Sequence, residues 1–152
     1  MKTLATLVTE LENALPFLEK KNEAFSQVTV GWHIEHTLLA LIKMITATEH
    51  SNPAEYKKRF NWKRSLVLTM GKIPRGKARV PSSVNPGDEV SETTIKPLLE
   101  KAKQKVELFE TLSSDKYFTH PVFEDVKLNK ARRVIAIHTI HHIKIINDIL
   151  KP

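Results

Sequence analysis

The chain has 152 residues, of which 41% are hydrophobic and 27% are charged. These values are typical of one globular domain and exclude a disordered or fibrous protein. The chain contains no cysteine, which excludes disulfides, thiolate metal sites and a cysteine nucleophile. Any metal must therefore be bound by nitrogen and oxygen atoms, and any thiol chemistry must use a thiol that a substrate brings.

No part of the sequence predicts export or insertion into a membrane. The longest uninterrupted aliphatic run covers only residues 38–42, whereas a spanning helix needs about 18 or more apolar residues. The apolar stretch from Leu4 to Val8 is followed by Glu10 and Glu12 and has no cleavage-like pattern of small residues. We therefore expect a cytoplasmic protein without a membrane partner.

Positive charge is concentrated between Tyr56 and Gly87. The formal net charge of the whole chain is +7, and this stretch holds nine basic residues and no acidic one, so the remainder carries 7 minus 9, or −2. The nine are Lys57, Lys58, Arg59, Lys63, Arg64, Lys72, Arg75, Lys77 and Arg79. The stretch is consistent with an anion-binding surface, and equally with solvated side chains on a helix and a loop, because charge alone specifies no partner.

Four segments have the periodicity of amphipathic helices, and none shows the alternation expected of a strand. The first is predicted from leucines at 4, 7, 11, 15 and 18, with a bend at Pro16. The second covers about 30–49. The third follows the candidate capping residues Thr93 and Thr94, with Pro97 in about its first turn, and the fourth covers about 129–150. Four such helices predict an all-α protein, a four-helix bundle.

The connection between the second and third helices is long and rich in proline and glycine. A short extra helix is predicted within 59–70, through Leu66, Val67 and Met70. A crossover of this length allows the bundle to depart from simple up-and-down connectivity. A second, shorter link, about 113–123, precedes the last helix.

Histidines cluster on two of the predicted helices. Five of the seven do so: His33, His36, His138, His141 and His142. His138 and His142 are four residues apart, so their Cβ atoms should lie ~5–6 Å apart on one face. Both occupy the apolar stripe of the last helix, where an unsatisfied polar group costs ~1–3 kcal/mol. A shared metal ion would satisfy both rings, and hydrogen-bonded core or surface histidines are the alternative.

A metal at this pair would need a third ligand from another helix. His36 is the best candidate, because it shares a face with Trp32, Leu39 and Ala40, and His33, one turn earlier, is the alternative. His141 is rotated ~100° from His142, so we expect it to support the site or to be exposed. We expect His50, near the start of the long connection, to be solvated.

Three short motifs resemble the DinB/YfiT-like superfamily in order and spacing over most of the chain. They are Gly31-Trp32-His33-Ile34-Glu35-His36, the His120-Pro121-Val122-Phe123 stretch typical of one subgroup, and His138-Thr139-Ile140-His141-His142. The resemblance implies a single domain over residues 1–152, a four-helix bundle with a long crossover. It also implies a divalent metal ion, zinc or nickel, held by His36, His138 and His142.

Two positions depart from the superfamily pattern. Many relatives have Arg followed by Gly or Gln after the last histidine, whereas this chain has Ile143-Lys144-Ile145. The His-Pro segment is usually followed by Gly, and here it is followed by Glu124. Substrate preferences of relatives therefore do not transfer to this chain.

The function expected from these features is that of a metal-dependent enzyme. Three imidazoles leave open positions on an ion, as in catalytic sites, and the ion could activate water for hydrolysis or a small-molecule thiol for transfer. Characterised relatives include thiol-dependent transferases, a thiol-dependent isomerase and proteins assigned as metal-dependent hydrolases. The expected partner is a small-molecule substrate, anionic or thiol-bearing, and a homodimer is left open. The candidates for a general base are Glu35, Glu124, Asp125 and His120.

Two other functions compete with this interpretation. A nucleic-acid-binding protein could use the basic 56–87 segment with Phe60 and Trp62 as stacking residues, but the segment has no helix-turn-helix or zinc-finger pattern, and we expect both aromatics to be core anchors. A non-catalytic metal-binding bundle is the other alternative.

Overall fold

The computed structural model describes residues 2–76, 80–87 and 89–152, and over these the protein is mainly helical. The α-helices of the described residues are α1 (Leu4–Glu12), α2 (Val30–Glu49), α3 (Trp62–Met70), α4 (Glu92–Thr111) and α5 (Leu128–Ile149). Short 3-10 turns lie at Leu15–Phe17, Pro53–Glu55 and Ser82–Val84. No helix in the described part of the chain is long and apolar enough to span a membrane.

The long helices form close to where the periodicity predicts them. Helices α2 and α5 begin and end within a residue of the predicted bounds, and α3 lies inside the predicted 59–70 segment. The first stripe bends as expected, since α1 ends at Glu12 and Pro16 lies in the following 3-10 turn. Leu18 still reaches the core after this bend.

The start of α4 differs from the prediction. The N-cap is Ser91, whose side chain accepts a hydrogen bond from the backbone N–H of Thr94, while the Thr94 hydroxyl accepts one from the backbone N–H of Ser91. This reciprocal capping box starts the helix before the predicted threonine caps. As a result Pro97 lies inside the helix rather than in its first turn. The predicted stripe from Ile95 to Phe109 is nevertheless buried.

One continuous hydrophobic core joins α1, α2, α4 and α5. Helix α2 packs against both α4 and α5, and α1 also contacts α4 and α5. The largest fully buried side chains come from all four helices and include Leu7, Ile34, Leu41, Phe109 and Ile135. The apolar stripes read from the sequence therefore face one another, as the burial of hydrophobic surface requires.

A two-stranded antiparallel hairpin replaces the irregular link expected before α5. Strands β1 (Tyr117–His120) and β2 (Glu124–Lys127) pair Phe118 with Val126 and His120 with Glu124. The expectation that the chain has no strand is therefore wrong at this point. Each strand has only four residues, which is too short for an alternating pattern to stand out in the sequence.

Helix α3 is attached to this hairpin by a buried arginine. The Arg64 guanidinium donates to the carbonyl oxygens of Phe123 (2.9 Å), Asp125 (2.7 Å) and Arg59 (2.7 Å). The helix ends at Gly71, whose φ of +62° is a left-handed conformation that glycine adopts without strain. Phe60 and Trp62 are 86% and 62% exposed, so the expectation that they are core anchors is wrong.

Candidate metal centre

Three imidazoles converge between α2 and α5. The potential ligand nitrogens of His36, His138 and His142 all lie within 4.8 Å of one another. The ring centroids are 5.3 Å apart for His36 and His138 and 4.7 Å apart for each of the other two pairs. The structure thus brings together the three residues that the sequence and the resemblance indicated.

The start of α2 fixes the position of His36. The Thr29 hydroxyl caps the helix by accepting a hydrogen bond from the Trp32 N–H at 3.2 Å, and the Gly31 N–H donates to the Leu18 carbonyl at 2.9 Å. A Cβ atom at position 31 would come within 3.2 Å of that carbonyl oxygen, so glycine permits the close approach. One turn later, the His36 ring stacks on Trp32 with centroids 5.0 Å apart.

The long connection supplies the group that orients His36. Its Nδ1–H donates to the carbonyl oxygen of Val84 at 2.8 Å, and this contact is buried. A carbonyl only accepts, so the proton is on Nδ1 and the lone pair of Nε2 is free for an ion.

His142 is oriented by a chain of polar groups from the start of α2. Its Nδ1 lies 3.0 Å from Nδ1 of His33, and Nε2 of His33 lies 2.9 Å from the hydroxyl of Ser26. An ion on Nε2 of neutral His142 leaves the proton on Nδ1, which then donates to His33. His33 in turn donates to Ser26. His33, the alternative third ligand in the sequence analysis, therefore supports a ligand instead.

His138 provides the most direct indication of a missing partner. Its Nδ1 is the one buried side-chain polar atom among the described residues that has no hydrogen-bond partner. Leaving such an atom unsatisfied costs ~1–3 kcal/mol. Because His138 belongs to the cluster of three imidazoles, a shared cation would explain why the position carries histidine.

The separations fit a shared ion after small side-chain adjustments. Zinc–nitrogen bonds of ~2.1 Å allow two ligand nitrogens to be at most ~4.2 Å apart. The observed upper limit of 4.8 Å exceeds this by a distance that modest ring rotations can close. The donor set is all nitrogen, which suits zinc, nickel and other late transition metals.

Burial keeps the histidines of this region neutral. It lowers the pKa of His138 to about 3 and that of His33 to about 4, in both cases with a smaller contribution from the repulsion of neighbouring histidines. The pKa values of His36 and His142 are lowered chiefly by burial as well. Protons therefore compete weakly with a metal for these nitrogens at neutral pH.

His120 lines a cavity of about 770 Å³ between the hairpin and the 54–59 segment. It is close enough to His138 for a charge on one ring to lower the pKa of the other. Its Nδ1 accepts hydrogen bonds from the N–H groups of Val122 (3.1 Å) and Phe123 (3.2 Å), and burial lowers its pKa to about 4. The ring is therefore neutral with its proton on Nε2, so it can donate a hydrogen bond but has no free lone pair to act as a base.

The three carboxylates considered as general bases are held by other groups. The Glu35 Oε2 accepts from the Thr94 hydroxyl at 3.0 Å, at the start of α4. Asp125 accepts from the Thr119 hydroxyl and from the backbone N–H of Lys57. Glu124 lies 3.9 Å from the Arg59 guanidinium. None of them joins the histidine cluster found among the described residues.

A smaller cleft of about 250 Å³ lies beside His141, between α5 and the segment that follows α3. His141 lines it together with Lys72, Arg75, Lys144 and an apolar floor that includes Ile137. The His141 ring meets the His142 ring edge-on, with centroids 5.1 Å apart. His141 thus borders the site without joining the cluster, as the sequence analysis anticipated.

The other predicted residues lie away from the cluster. His50 is exposed at the end of α2 and donates to the carbonyl oxygen of Thr46. Of the nine basic residues, Lys77 and Arg79 lie outside the described residues, Arg64 is buried, and Arg75 forms an ion pair with Asp148 at 2.6 Å. The basic segment is therefore not one continuous surface.

Sequence reasoning missed two contributors to the site. Val84 acts through its backbone carbonyl, which leaves no trace in the sequence. Ser26 lies in a segment without periodicity, and only its distance from His33 reveals its role. Away from the site, Arg64 was counted among the surface charges, but it is buried and holds α3 on the hairpin.

Neither a protein-family model nor a curated protein nor a solved structure matches this chain. The case for a metal centre therefore rests on the geometry of the three histidines.

Proposed function

We propose that this protein is a metal-dependent enzyme of the DinB/YfiT-like type, built as a four-helix bundle with a long crossover. The observation that carries the proposal is the convergence of three neutral imidazoles, one of which has a buried nitrogen without a partner. Two of the three rings also have hydrogen bonds that fix their orientation. Such support is characteristic of metal-ligating histidines.

The chain's own residues define the ligand set and its surroundings. His36, His138 and His142 would hold the ion, Val84 and His33 would orient two of them, and three protein ligands leave coordination positions open. A divalent ion, for which zinc and nickel are the leading candidates, supplies Lewis acidity that activates water for hydrolysis or a small-molecule thiol for transfer.

The placement of the carboxylates favours thiol transfer over hydrolysis. Hydrolysis commonly uses a protein base to take a proton from water, yet Glu35, Glu124 and Asp125 are engaged elsewhere. A small-molecule thiol is more acidic than water and needs less help to ionise. The absence of cysteine from the chain is consistent with a nucleophile that arrives as a cosubstrate.

Two cavities near the cluster carry donor or cationic groups for a small anionic substrate, although neither is lined by His36, His138 or His142 and the larger one also has Glu55, Glu124 and Asp125 in its wall. The Nε2–H of His120 can donate to an oxygen of a molecule in the larger cavity. Lys72 and Lys144 place positive charge at the rim of the smaller cleft beside His141. Positive charge at a cleft raises the local concentration of anions.

Metal content and a thiol screen test this proposal. Tag-free protein should contain about one equivalent of zinc or nickel by elemental analysis, and His36→Ala and His142→Ala should each lose it, while His50→Ala should retain it. Thiols of low molecular weight should then react with a model electrophile only in the presence of the metal-loaded protein. Full metal content in both ligand variants would exclude this ligand set, and metal without activity towards thiols or esters would support a non-catalytic metal-binding bundle.

A further inference from the structure

Helix α3 exposes a row of large apolar side chains that nothing in the described structure covers. Trp62, Leu66 and Met70 are four residues apart and are 62%, 48% and 57% exposed, and Phe60, just before the helix, is 86% exposed. We call these four residues the apolar stripe. Val122 extends it, because its carbonyl oxygen accepts a hydrogen bond from the Asn61 side chain at 3.0 Å and its own side chain is exposed.

The opposite face of α3 already anchors the helix to the protein. Arg64 is buried, and Val67 and Leu68 pack against the hydrophobic core. At 100° per residue, Arg64 and Leu68 lie opposite the stripe on the helix and Val67 lies at its flank. The helix therefore already buries its core-facing side, and the stripe is a second apolar face that is left exposed. Contiguous exposed apolar surface of this kind usually marks an interaction site.

Four exposed cations lie next to the stripe in the chain. Lys57, Lys58, Arg59 and Lys63 are all exposed, and Nζ of Lys63 lies 5.8 Å from the centre of the Trp62 ring. Among the described residues, Lys57, Lys58 and Lys63 form no ion pair with a carboxylate, and Arg59 has only a 3.9 Å contact with Glu124. A partner should therefore offer hydrocarbon and negative charge side by side.

We propose that this surface docks on an anionic lipid bilayer. The interface of such a bilayer presents acyl chains directly below negatively charged headgroups, and short amphipathic helices with aromatic and basic residues bind there in the plane of the membrane. Trp62 suits the headgroup level, while Leu66 and Met70 would enter the apolar boundary. The proposal replaces the sequence-based expectation of no membrane partner, which followed from the absence of a spanning segment.

Charge and chemistry make the other occupants less suitable. In a symmetric dimer the same patch meets itself, so the cations of one copy would be brought close to the cations of the other. Single-stranded nucleic acid stacks its bases on aromatic rings, which would leave the aliphatic part of the stripe, Leu66 and Met70, without a matching partner. The bilayer is the occupant that satisfies both the cations and the aliphatic groups.

Vesicle co-sedimentation of the full chain tests the proposal. Vesicles of phosphatidylcholine with 30% phosphatidylglycerol, roughly the anionic content that attracts basic surfaces, should bind the protein at least about tenfold more tightly than pure phosphatidylcholine. Binding should weaken in about 0.5 M salt, where the Debye length falls to about 4 Å from about 10 Å at 0.1 M. The double variant Trp62→Ser/Leu66→Ser and the double variant Lys58→Glu/Lys63→Glu should each lose at least about tenfold in affinity.

Controls separate this surface from general stickiness and from the other partners. Phe25 lies outside the stripe and is 43% exposed. The Phe25→Ser variant should therefore bind vesicles like the unaltered protein. Trp emission should shift to the blue on anionic vesicles and not in Trp62→Phe. The proposal would be overturned by equal binding to neutral and anionic vesicles, or by no binding to anionic ones. It would also be overturned by a dimer, seen in light scattering, that Trp62→Ser dissociates, or by binding to an oligonucleotide without binding to vesicles. None of these results depends on the metal centre.

Discussion

The Nδ1 atoms of His33 and His142 lie 3.0 Å apart, although the two residues are separated by 109 positions in the chain. The contact joins the first turns of α2 to the last third of α5 and continues through Nε2 of His33 to the hydroxyl of Ser26. That hydroxyl also accepts a hydrogen bond from the Val28 N–H at 3.2 Å. The loop before α2 therefore fixes the ring of a candidate ligand on α5.

Removal of His33 should weaken metal binding without removing a ligand. We expect His33→Ala to lower metal affinity by about 10- to 100-fold, the usual loss when a supporting partner of a ligating histidine is deleted. Ser26→Ala should lower metal affinity less, because the hydrogen bond between His33 and His142 remains. Competition with a chelator measures the affinity. His141→Ala, which borders the site without a bond to a ligand, is the matched control, and an equal loss in that variant would contradict the role of His33.

The His138→Leu variant should keep the stability of the metal-free protein but lose the stabilisation that a bound metal provides. In metal-free protein this substitution removes a buried nitrogen without a partner, so the free energy of unfolding should rise by about 1 kcal/mol or stay level. The variant should no longer gain stability when zinc is added. His142→Leu is the comparison: its Nδ1 is paired with His33, so the same change should destabilise the metal-free protein. Denaturant unfolding with and without zinc measures both effects, and a strongly destabilised His138→Leu would argue that Nδ1 has a partner.

Metal-free protein should lose stability as the pH falls from about 6.5 towards 4. Burial lowers the pKa of His33 and of His120 to about 4 in the folded state, so the unfolded chain takes up protons first. Inside that window, each such group lowers the free energy of unfolding by up to about 1.4 kcal/mol for every unit by which the pH falls. Above the window this loss is absent.

His120→Asn provides a check on the pH dependence. Its Oδ1 can accept the hydrogen bonds of Val122 and Phe123, but the side chain does not titrate. The variant should show a shallower loss between pH 6.5 and 4 in chelator-treated samples followed by denaturant unfolding. A midpoint that does not change with pH in the unaltered protein would show that these rings are not buried as described.

Glu124→Gly should stabilise the protein. Glu124 has a φ of +56° directly after the turn of the hairpin, a left-handed conformation that costs a residue with a side chain about 1 kcal/mol. Glycine adopts this φ without strain, and the lost contact with Arg59 is an exposed pair at 3.9 Å worth little. We expect a gain of about 0.5–1 kcal/mol in thermal or denaturant unfolding. Glu55→Gly, at an exposed position in a 3-10 turn, should be neutral or destabilising.

The conformation of Glu124 and the hairpin around it were decided by the tertiary structure. Glu124 was noted in the sequence only as a departure from the pattern that the motif resembles, and its φ of +56° emerged only from the structure. The hairpin around it was not predicted, because two four-residue strands carry too little pattern and their pairing depends on contacts with Arg64 and the core.

The sequence by itself determined the long helices and the placement of His138 and His142 on one face of α5. Apolar spacing of three and four residues is a local property, so the stripes of α1, α2, α4 and α5 could be read directly, as could the shared face of His138 and His142. The tertiary structure alone decided which histidine of α2 joins them, that Val84 and Ser26 orient the rings, and that Trp62 faces outward. These outcomes depend on how distant segments pack, and the energy of a long-range contact is not encoded in the spacing of neighbouring residues.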